Sequence, residues 1–276
     1  MSWPIKDETS DADDWSFWQQ NADGTFIDVD AFMAQNPNIK TVILRACWTN
    51  GVLDRSYPIY YEAFRKHDVT IIAYLWPNPL RTDMLARWTE CLLAADDMPD
   101  GLMLDFELTF YQTDEILTAN AEQSFKDAET FDLPVIGYTR GEWWDKHILR
   151  TVELGKYFIV AHYPYFLLDG IWQQCRNHSE LHNKLPIDNN FTPYLGRLKK
   201  EQILGWQFSA KGRLKPYLKD MDLDSIIKAI WNKVFKEQPP DNGNGCPDWT
   251  TDVRASAAAI REQADLLDTI TNNAEA

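Results

Sequence analysis

The run Asp100-Gly101-Leu102-Met103-Leu104-Asp105-Phe106-Glu107 ends an apolar stretch with two carboxylates one residue apart. Read as a β-strand, the stretch alternates its side chains, so Asp105 and Glu107 share a face with Cα atoms about 6.5–7 Å apart. Neighbouring carboxyl groups push one pKa upward, and the member that keeps its proton can donate it near neutral pH. Cleavage of an acetal linkage requires such a pair: one group protonates the leaving oxygen while the other handles the developing cation. The bland alternative is an acidic pair held by salt bridges. Perturbed carboxylates cluster at functional sites, which favours chemistry.

Something must hold these acids at the rim of a cleft. Short apolar strands are expected at 26–29, 41–46, 70–75, 102–106, 134–138, 157–161 and 203–208, with a weaker last one at 217–221. Helix-length amphipathic segments fall between them at 57–67, 82–95, 114–131 and 141–149. Continuous apolar strands separated by helices indicate a parallel sheet covered on both faces. Seven or eight of them in about 200 residues favour a closed barrel. The expected fold class is therefore α/β, a TIM-like β/α barrel with a long loop after strand six and a C-terminal helical tail. The division is an N-terminal extension at 1–24, the barrel catalytic domain at 25–236, a Pro/Gly/Asn linker at 237–248 and the tail at 249–276.

The irregular stretch from Pro164 to Gln202 is expected to wall the cleft. In the tail, Val253, Ala257, Ile260, Ala264, Leu267 and Ile270 form an apolar stripe at helical spacing. It suits either a helix packed back on the barrel or a surface for self-association.

Two more acids fall at expected strand ends, Asp28 and Asp222. In a closed barrel the first and last strands are neighbours, which would bring these two together across from strand four. A helix N-cap or a turn is the competing role for each.

Composition narrows the partners. A formal charge of −15 opposes binding to a phosphate backbone, so no nucleic acid is expected. No apolar run is long enough to insert in a membrane, and the first residues lack the pattern of a secretory signal. Aromatic content is high at 13%, with 12 Trp; some of it must fill core, and flat apolar faces also suit stacking on sugar rings. Cys47, Cys91, Cys175 and Cys246 are widely spaced, like buried thiols rather than metal ligands. No G-x-G-x-x-G or Walker-type loop follows any expected strand, and the five histidines form no H-E-x-x-H.

The ordered series Phe26-Ile27-Asp28-Val29-Asp30, Ile43-Leu44-Arg45-Ala46, Ile72-Ala73-Tyr74 and Leu104-Asp105-Phe106-Glu107 resembles family 25 glycoside hydrolases. The likeness continues through Val135-Ile136-Gly137-Tyr138-Thr139, Trp143-Trp144, Ile159-Val160-Ala161-His162-Tyr163, Trp206-Gln207-Phe208-Ser209 and Met221-Asp222-Leu223-Asp224. That family comprises lysozymes (N-acetylmuramidases) built on a β/α barrel, common in bacteriophages and bacteria. The resemblance implies Glu107 as general acid, Asp105 as its partner carboxylate, and Asp28 and Asp222 as further cleft aspartates. It also implies that Tyr74, Tyr138, Tyr163 and Trp206 bind substrate, with burial in the core as the alternative. By the same likeness the partner is bacterial peptidoglycan, and no cofactor or metal is required. The place of action would be the cell wall, reached after host lysis or on a virion.

The sequence departs from the family in two places. Arg45-Ala46-Cys47-Trp48-Thr49-Asn50-Gly51 lacks the acid of the family's Arg-Ala-Thr-Glu-Gly, and Tyr74-Leu75-Trp76-Pro77 replaces an aromatic-His-Phe stretch. Asp100-Gly101 followed by Asp105 and Glu107 also resembles the chitinase signature D-G-x-D-x-D-x-E, but Met103 stands where its middle aspartate belongs. A non-catalytic glycan-binding barrel is the remaining alternative.

Overall fold

The structure, a computed structural model, describes residues 9–21, 23–150, 154, 156–163, 166–168, 171–176, 195–212, 221–227 and 234. Its order is β1 (Thr9–Trp15), α1 (Val29–Gln35), β2 (Ile39–Arg45), α2 (Tyr57–Phe64), β3 (Thr70–Leu75), α3 (Met84–Leu92), β4 (Gly101–Phe106), α4 (Asp114–Glu129) and β5 (Val135–Arg140). There follow α5 (Gly141–His147), β6 (Tyr157–Ala161), the short hairpin β7 (Phe166–Leu168) and β8 (Ile171–Gln173), β9 (Ile203–Gly212) and β10 (Met221–Ile227).

The strands close into a barrel in the order β1-β10-β9-β6-β5-β4-β3-β2. Pairing is parallel from β1 through β6 and on to β9. The last strand, β10, runs antiparallel to both of its neighbours, β9 and β1. The barrel expected from the apolar rhythm is present, with this one reversed strand closing it.

Alternation sorts the strand residues into two layers. Ala12, Ile43, Ile72, Tyr74, Met103, Ile136, Tyr138, Ile159, Ala161 and Leu204 pack together and fill the barrel. Their neighbours, including Val42, Leu44, Ile71, Ala73, Leu102, Leu104, Phe106, Phe158, Val160, Trp206 and Phe208, pack outward with the helices. A filled interior leaves the open ends of the strands as the place for a site, at the carboxyl rim of the parallel strands.

The beginning of the chain corrects the sequence reading. Barrel strand β1 lies at Thr9–Trp15, inside the segment expected to be an extension, while 26–29 is not a strand. Phe26 makes only an isolated bridge to Gln20, and Val29 opens α1. Asp28 is the N-cap of that helix, its Oδ1 accepting from the Ala31 amide at 3.0 Å. Asp11, Asp13 and Asp14 hide β1 from a search for apolar runs, although Trp15 is fully buried among Phe32, Tyr60 and Phe64.

At the other end, residues 217–220 of the expected last strand lie outside the described residues, and the strand that closes the barrel, from Met221 to Ile227, runs antiparallel to its neighbours. The long excursion between β6 and β9 carries the β7–β8 hairpin and a 3-10 turn at Lys200–Gln202. Residues 177–194, the linker and the tail, with Cys246 and the proposed self-association stripe, lie outside the described residues. Cys47, Cys91 and Cys175 are buried.

The β5–β6 contact sets a tight steric limit. A Cβ at Gly137 would stand 2.3 Å from Phe158 Cε1, so the ring packs directly on the glycine backbone. Gly137→Ala should therefore cost about 1–3 kcal/mol in urea-induced unfolding. Adding Phe158→Leu to that variant should recover part of the loss; additive losses would show that the contact is not the cause.

Candidate functional site

Strand β4 presents Met103 to the barrel interior, so Asp105, two residues on, points the same way at the next level. Its register partner on β5 is Tyr138, which also faces inward. Asp105 is buried, and Glu107 follows the last strand residue, half-buried with 24% of its side chain exposed. The two carboxylates thus rise along one face, from the top of the filled interior to the rim.

A cavity of about 640 Å³ opens above Glu107. Its wall comprises Glu107, Arg140, Glu142, Trp143, Lys146, Ala161, His162, Tyr163 and Gln174. These come from the ends of β4, β5 and β6, from α5 and from the stretch after β8. Thr139 Oγ1 donates to the Phe106 carbonyl at 2.8 Å, tying the ends of β4 and β5 beside Glu107 and Arg140.

Two effects compete at Glu107. Burial raises its pKa above the ordinary carboxylate value and is the larger; Arg140, with Nη2 3.5 Å from Oε2, pulls it down. The Arg140 side chain is 53% exposed, so water screens its field, whereas the apolar filling below Glu107 gives no hydration. Desolvation wins, and Glu107 is biased toward its protonated form. Burial also lowers the pKa of His162, keeping that imidazole neutral.

The aromatic candidates divide. Tyr163 lines the cavity, with the Arg140 guanidinium 5.7 Å from its ring centre. Tyr138 is buried beneath it: its hydroxyl donates to Gln207 Oε1 at 2.7 Å and lies 3.2 Å from the Tyr163 hydroxyl. Tyr163 bonds the same Gln207 oxygen, so the amide holds both phenols. Tyr74 is buried in the barrel filling on β3. Trp206 is not a cleft residue. It is 1% exposed in the outer layer against Phe208, with Nε1 donating to the His162 carbonyl at 2.8 Å. Its neighbour Gln207 takes the inward position: Leu204 faces inward, and the register irregularity against β6 shifts the alternation so that Trp206 and Phe208 face outward.

The register across the seam does not bring together Asp28 and Asp222, the acids expected from the first and last strands. Asp14, near the end of β1, is the register partner of Asp222 at the start of β10. Asp14 shares the inward face with Ala12 and is half-buried. Asp28, exposed and committed to capping α1, is replaced in that position by Asp14. The side chain of Asp222 lies outside the described residues. One level deeper, Asp224 is opposite both Ala12 and Gln207 and is fully buried. Sequence reasoning missed Asp14, Asp224, Arg140 and Lys146; for the first, the signal available was an Asp one residue before a buried Trp.

Across the mouth, the family's missing second-strand acid is replaced by a cation–aromatic stack. Arg45 sits 3.6 Å from the Trp48 ring centre and pairs with buried Asp54 at 2.7 Å. Asp54 also accepts from the Phe17 amide and from Ser56, so one buried carboxylate joins the loops after β1 and β2. Exposed Trp18 meets Trp48 edge-on at 5.9 Å. Among the described residues no group of His, Cys, Asp and Glu side chains is disposed to hold a metal ion.

The sequence matches no family model and no curated protein. Solved structures do share its architecture. The catalytic domain of an endolysin from a Listeria monocytogenes bacteriophage is similar at 15% identity and TM-score 0.56, covering 82% of this chain and 97% of that one. A family 25 glycosyl hydrolase from Bacillus anthracis is similar at 14% identity and TM-score 0.56, covering 82% and 92%. A bacterial lysozyme from Streptomyces coelicolor is similar at 14% identity and TM-score 0.54, covering 82% and 98%. At such identities the likeness is one of fold: the chain is built on the barrel that family 25 glycoside hydrolases use.

Proposed function

We propose that this protein is a peptidoglycan hydrolase of the lysozyme type, cleaving the β-1,4 bond between N-acetylmuramic acid and N-acetylglucosamine. The observation that carries the reading is Glu107, desolvated toward its protonated form at the wall of an open cavity, with Asp105 buried on the same face. Glu107 protonates the glycosidic oxygen. Asp105 stabilises positive charge at the anomeric centre or orients the 2-acetamido group for internal attack. Asp14 adds an inward-facing carboxylate near the end of β1, and Tyr163 offers a face to the sugar. The similar folds of endolysins and lysozymes support the same reading and favour it over a chitinase. The substrate then lies in bacterial cell wall, and among the described residues no helix is long and apolar enough to cross a membrane.

Purified protein mixed with bacterial walls should reduce turbidity and release reducing muramic acid ends. Reducing N-acetylglucosamine ends would indicate the chitinase chemistry instead, and binding without clearing a glycan-binding barrel. Glu107→Gln should lower the rate by at least about a hundredfold, the usual scale for losing a positioned proton donor.

The two first-strand candidates separate cleanly. Asp14→Asn should lower turnover by about tenfold or more while leaving the melting temperature near the parent's. Asp28→Ala should leave clearing within about twofold and cost about 1 kcal/mol of stability, as loss of an N-cap does. The reverse pattern would restore Asp28 to the site.

The raised pKa of Glu107 also sets a stability sign. Its protonated form stabilises the fold below the ordinary carboxylate range, and that contribution is lost as pH rises through the elevated folded-state pKa. Urea titrations should therefore show Glu107→Gln gaining on the parent as pH rises from about 4 to 7. A constant difference across that range would show that Glu107 titrates normally.

A further inference from the structure

The cavity wall carries positive charge that protonating a neutral sugar does not use. In a chain of formal charge −15, Arg140 and Lys146 both line it. Arg140 ends β5, its backbone paired with Ala161 of β6 and its neighbour Thr139 bonded to β4, so the guanidinium projects from a fixed point. Its contact with Glu107 is a single long ion pair at 3.5 Å, not a two-pronged hydrogen-bonded fork. The planar face is steadied by the Tyr163 ring, and the side chain stays half-exposed to the cavity. Lys146 is exposed on α5 with no carboxylate partner among the described residues. A guanidinium fork presented this way matches a carboxylate.

We propose that Arg140, with Lys146 beside it, is the receptor for a carboxylate carried by the sugar next to the scissile bond, and that this capture draws the guanidinium away from Glu107. The proposal rests on the muramidase reading and deepens it. A polymer of N-acetylglucosamine alone has no anion to offer, whereas muramic acid bears a lactyl carboxyl group. In denuded strands that carboxylate is free; in peptide-bearing strands it forms an amide and the stem peptide supplies carboxylates instead. Both sources present the same chemistry to Arg140.

The consequence for the acid follows from the groups around it. Glu107 is faced by Asp105 from its own strand, Arg140 and Tyr138 from β5, Glu142 and Lys146 from α5, and His162 and Tyr163 after β6. Among these groups it is the Arg140 guanidinium that holds down the proton affinity of Glu107, against burial. A carboxylate on Arg140 removes that restraint, so Glu107 takes up a proton from solvent as the correct substrate seats. A neutral chain leaves the restraint in place. Specificity and acid catalysis are thereby coupled through one guanidinium.

The test is calorimetric binding of four short ligands: the N-acetylglucosamine–N-acetylmuramic acid disaccharide, its lactyl methyl ester, and the disaccharide bearing a stem dipeptide with free or with esterified carboxylates. The parent should bind an acid form about tenfold more tightly than the matching ester. The denuded and dipeptide pairs show which source supplies the carboxylate. Arg140→Gln should bind acid and ester alike, and Arg140→Lys, which keeps the charge without the fork, should give an intermediate preference. Binding of the acid to the parent should also be accompanied by proton uptake, read from its heat in buffers of different ionisation enthalpy. Equal binding of acid and ester by the parent, a preference that survives in Arg140→Gln, or the absence of proton uptake overturns the proposal. Wall clearing without the preference sinks this proposal alone; the preference without clearing sinks the hydrolase reading and leaves the carboxylate receptor standing.

Discussion

A carboxyl group fixed above an interior that water cannot enter must obtain its solvation from one side only, and Glu107 is placed under this constraint. Ile43, Ile72, Met103, Ile136 and Ile159 fill the barrel beneath it, so its hydration comes from the cavity alone. The cost of charge there is what moves its proton affinity upward; Arg140 opposes the shift from a position where half its surface meets water. The balance is lopsided because one effect acts through an apolar medium and the other through a screened one. If the barrel filling were loosened enough to admit water, the bias would vanish even with every polar residue in place.

The reversed strand β10 explains how the first residues of the last strand come to lie beside the last residues of the first. A parallel strand delivers its last residues to the rim, as β4 delivers Asp105 and Glu107. An antiparallel strand delivers its first, and so Asp222 opens β10 opposite Asp14 near the end of β1. The same register puts Asp224 one level lower, against Ala12 and Gln207. Gln207 in turn holds the hydroxyls of Tyr138 and Tyr163. The apolar plug is thus topped on the β5–β6–β9 side by the Tyr138–Gln207–Tyr163 cluster, and Arg45 pairs with Asp54 at the end of β2.

What the sequence made legible follows from where apolar residues sit on the strands. Strands β2 to β6 are covered on both faces, so they read as continuous apolar runs, and Asp105 and Glu107 stood out at the end of one of them. The first strand had no such run: Thr9–Trp15 holds Asp11, Asp13 and Asp14, and its anchorage comes from Trp15 in a nest of aromatic rings contributed by later helices. Phe26-Ile27-Asp28-Val29 carried the apolar, β-branched signature of a strand, yet the Asp28 cap turns it into a helix start. Trp206 illustrates a different limit. When both faces of a strand are buried, composition cannot say which parity faces the barrel axis; only the register with β6 and β10 does. Arg140 was invisible for the opposite reason, since a single arginine at a strand end carries no pattern until Glu107 is set beside it.

The distinction between a hydrolase and a barrel that only binds glycan turns on what desolvation of Glu107 accomplishes. For binding alone, a buried carboxyl group with a raised pKa is a liability, because it loses solvation without gaining a fixed partner; a hydroxyl or amide would serve a sugar better. Cation–aromatic stacking at Arg45 and Trp48, with exposed Trp18 beside it, already supplies the kind of surface that retention of a saccharide needs. That surface is across the mouth from the cavity above Glu107, and it involves no titrating acid in the cavity. A group whose proton is held by burial yet contested by a half-exposed cation costs stability and is of use only where a proton must be handed over. The arrangement at Glu107 is therefore better explained by catalysis than by adhesion, and the aromatic rim opposite is better explained by grip than by chemistry.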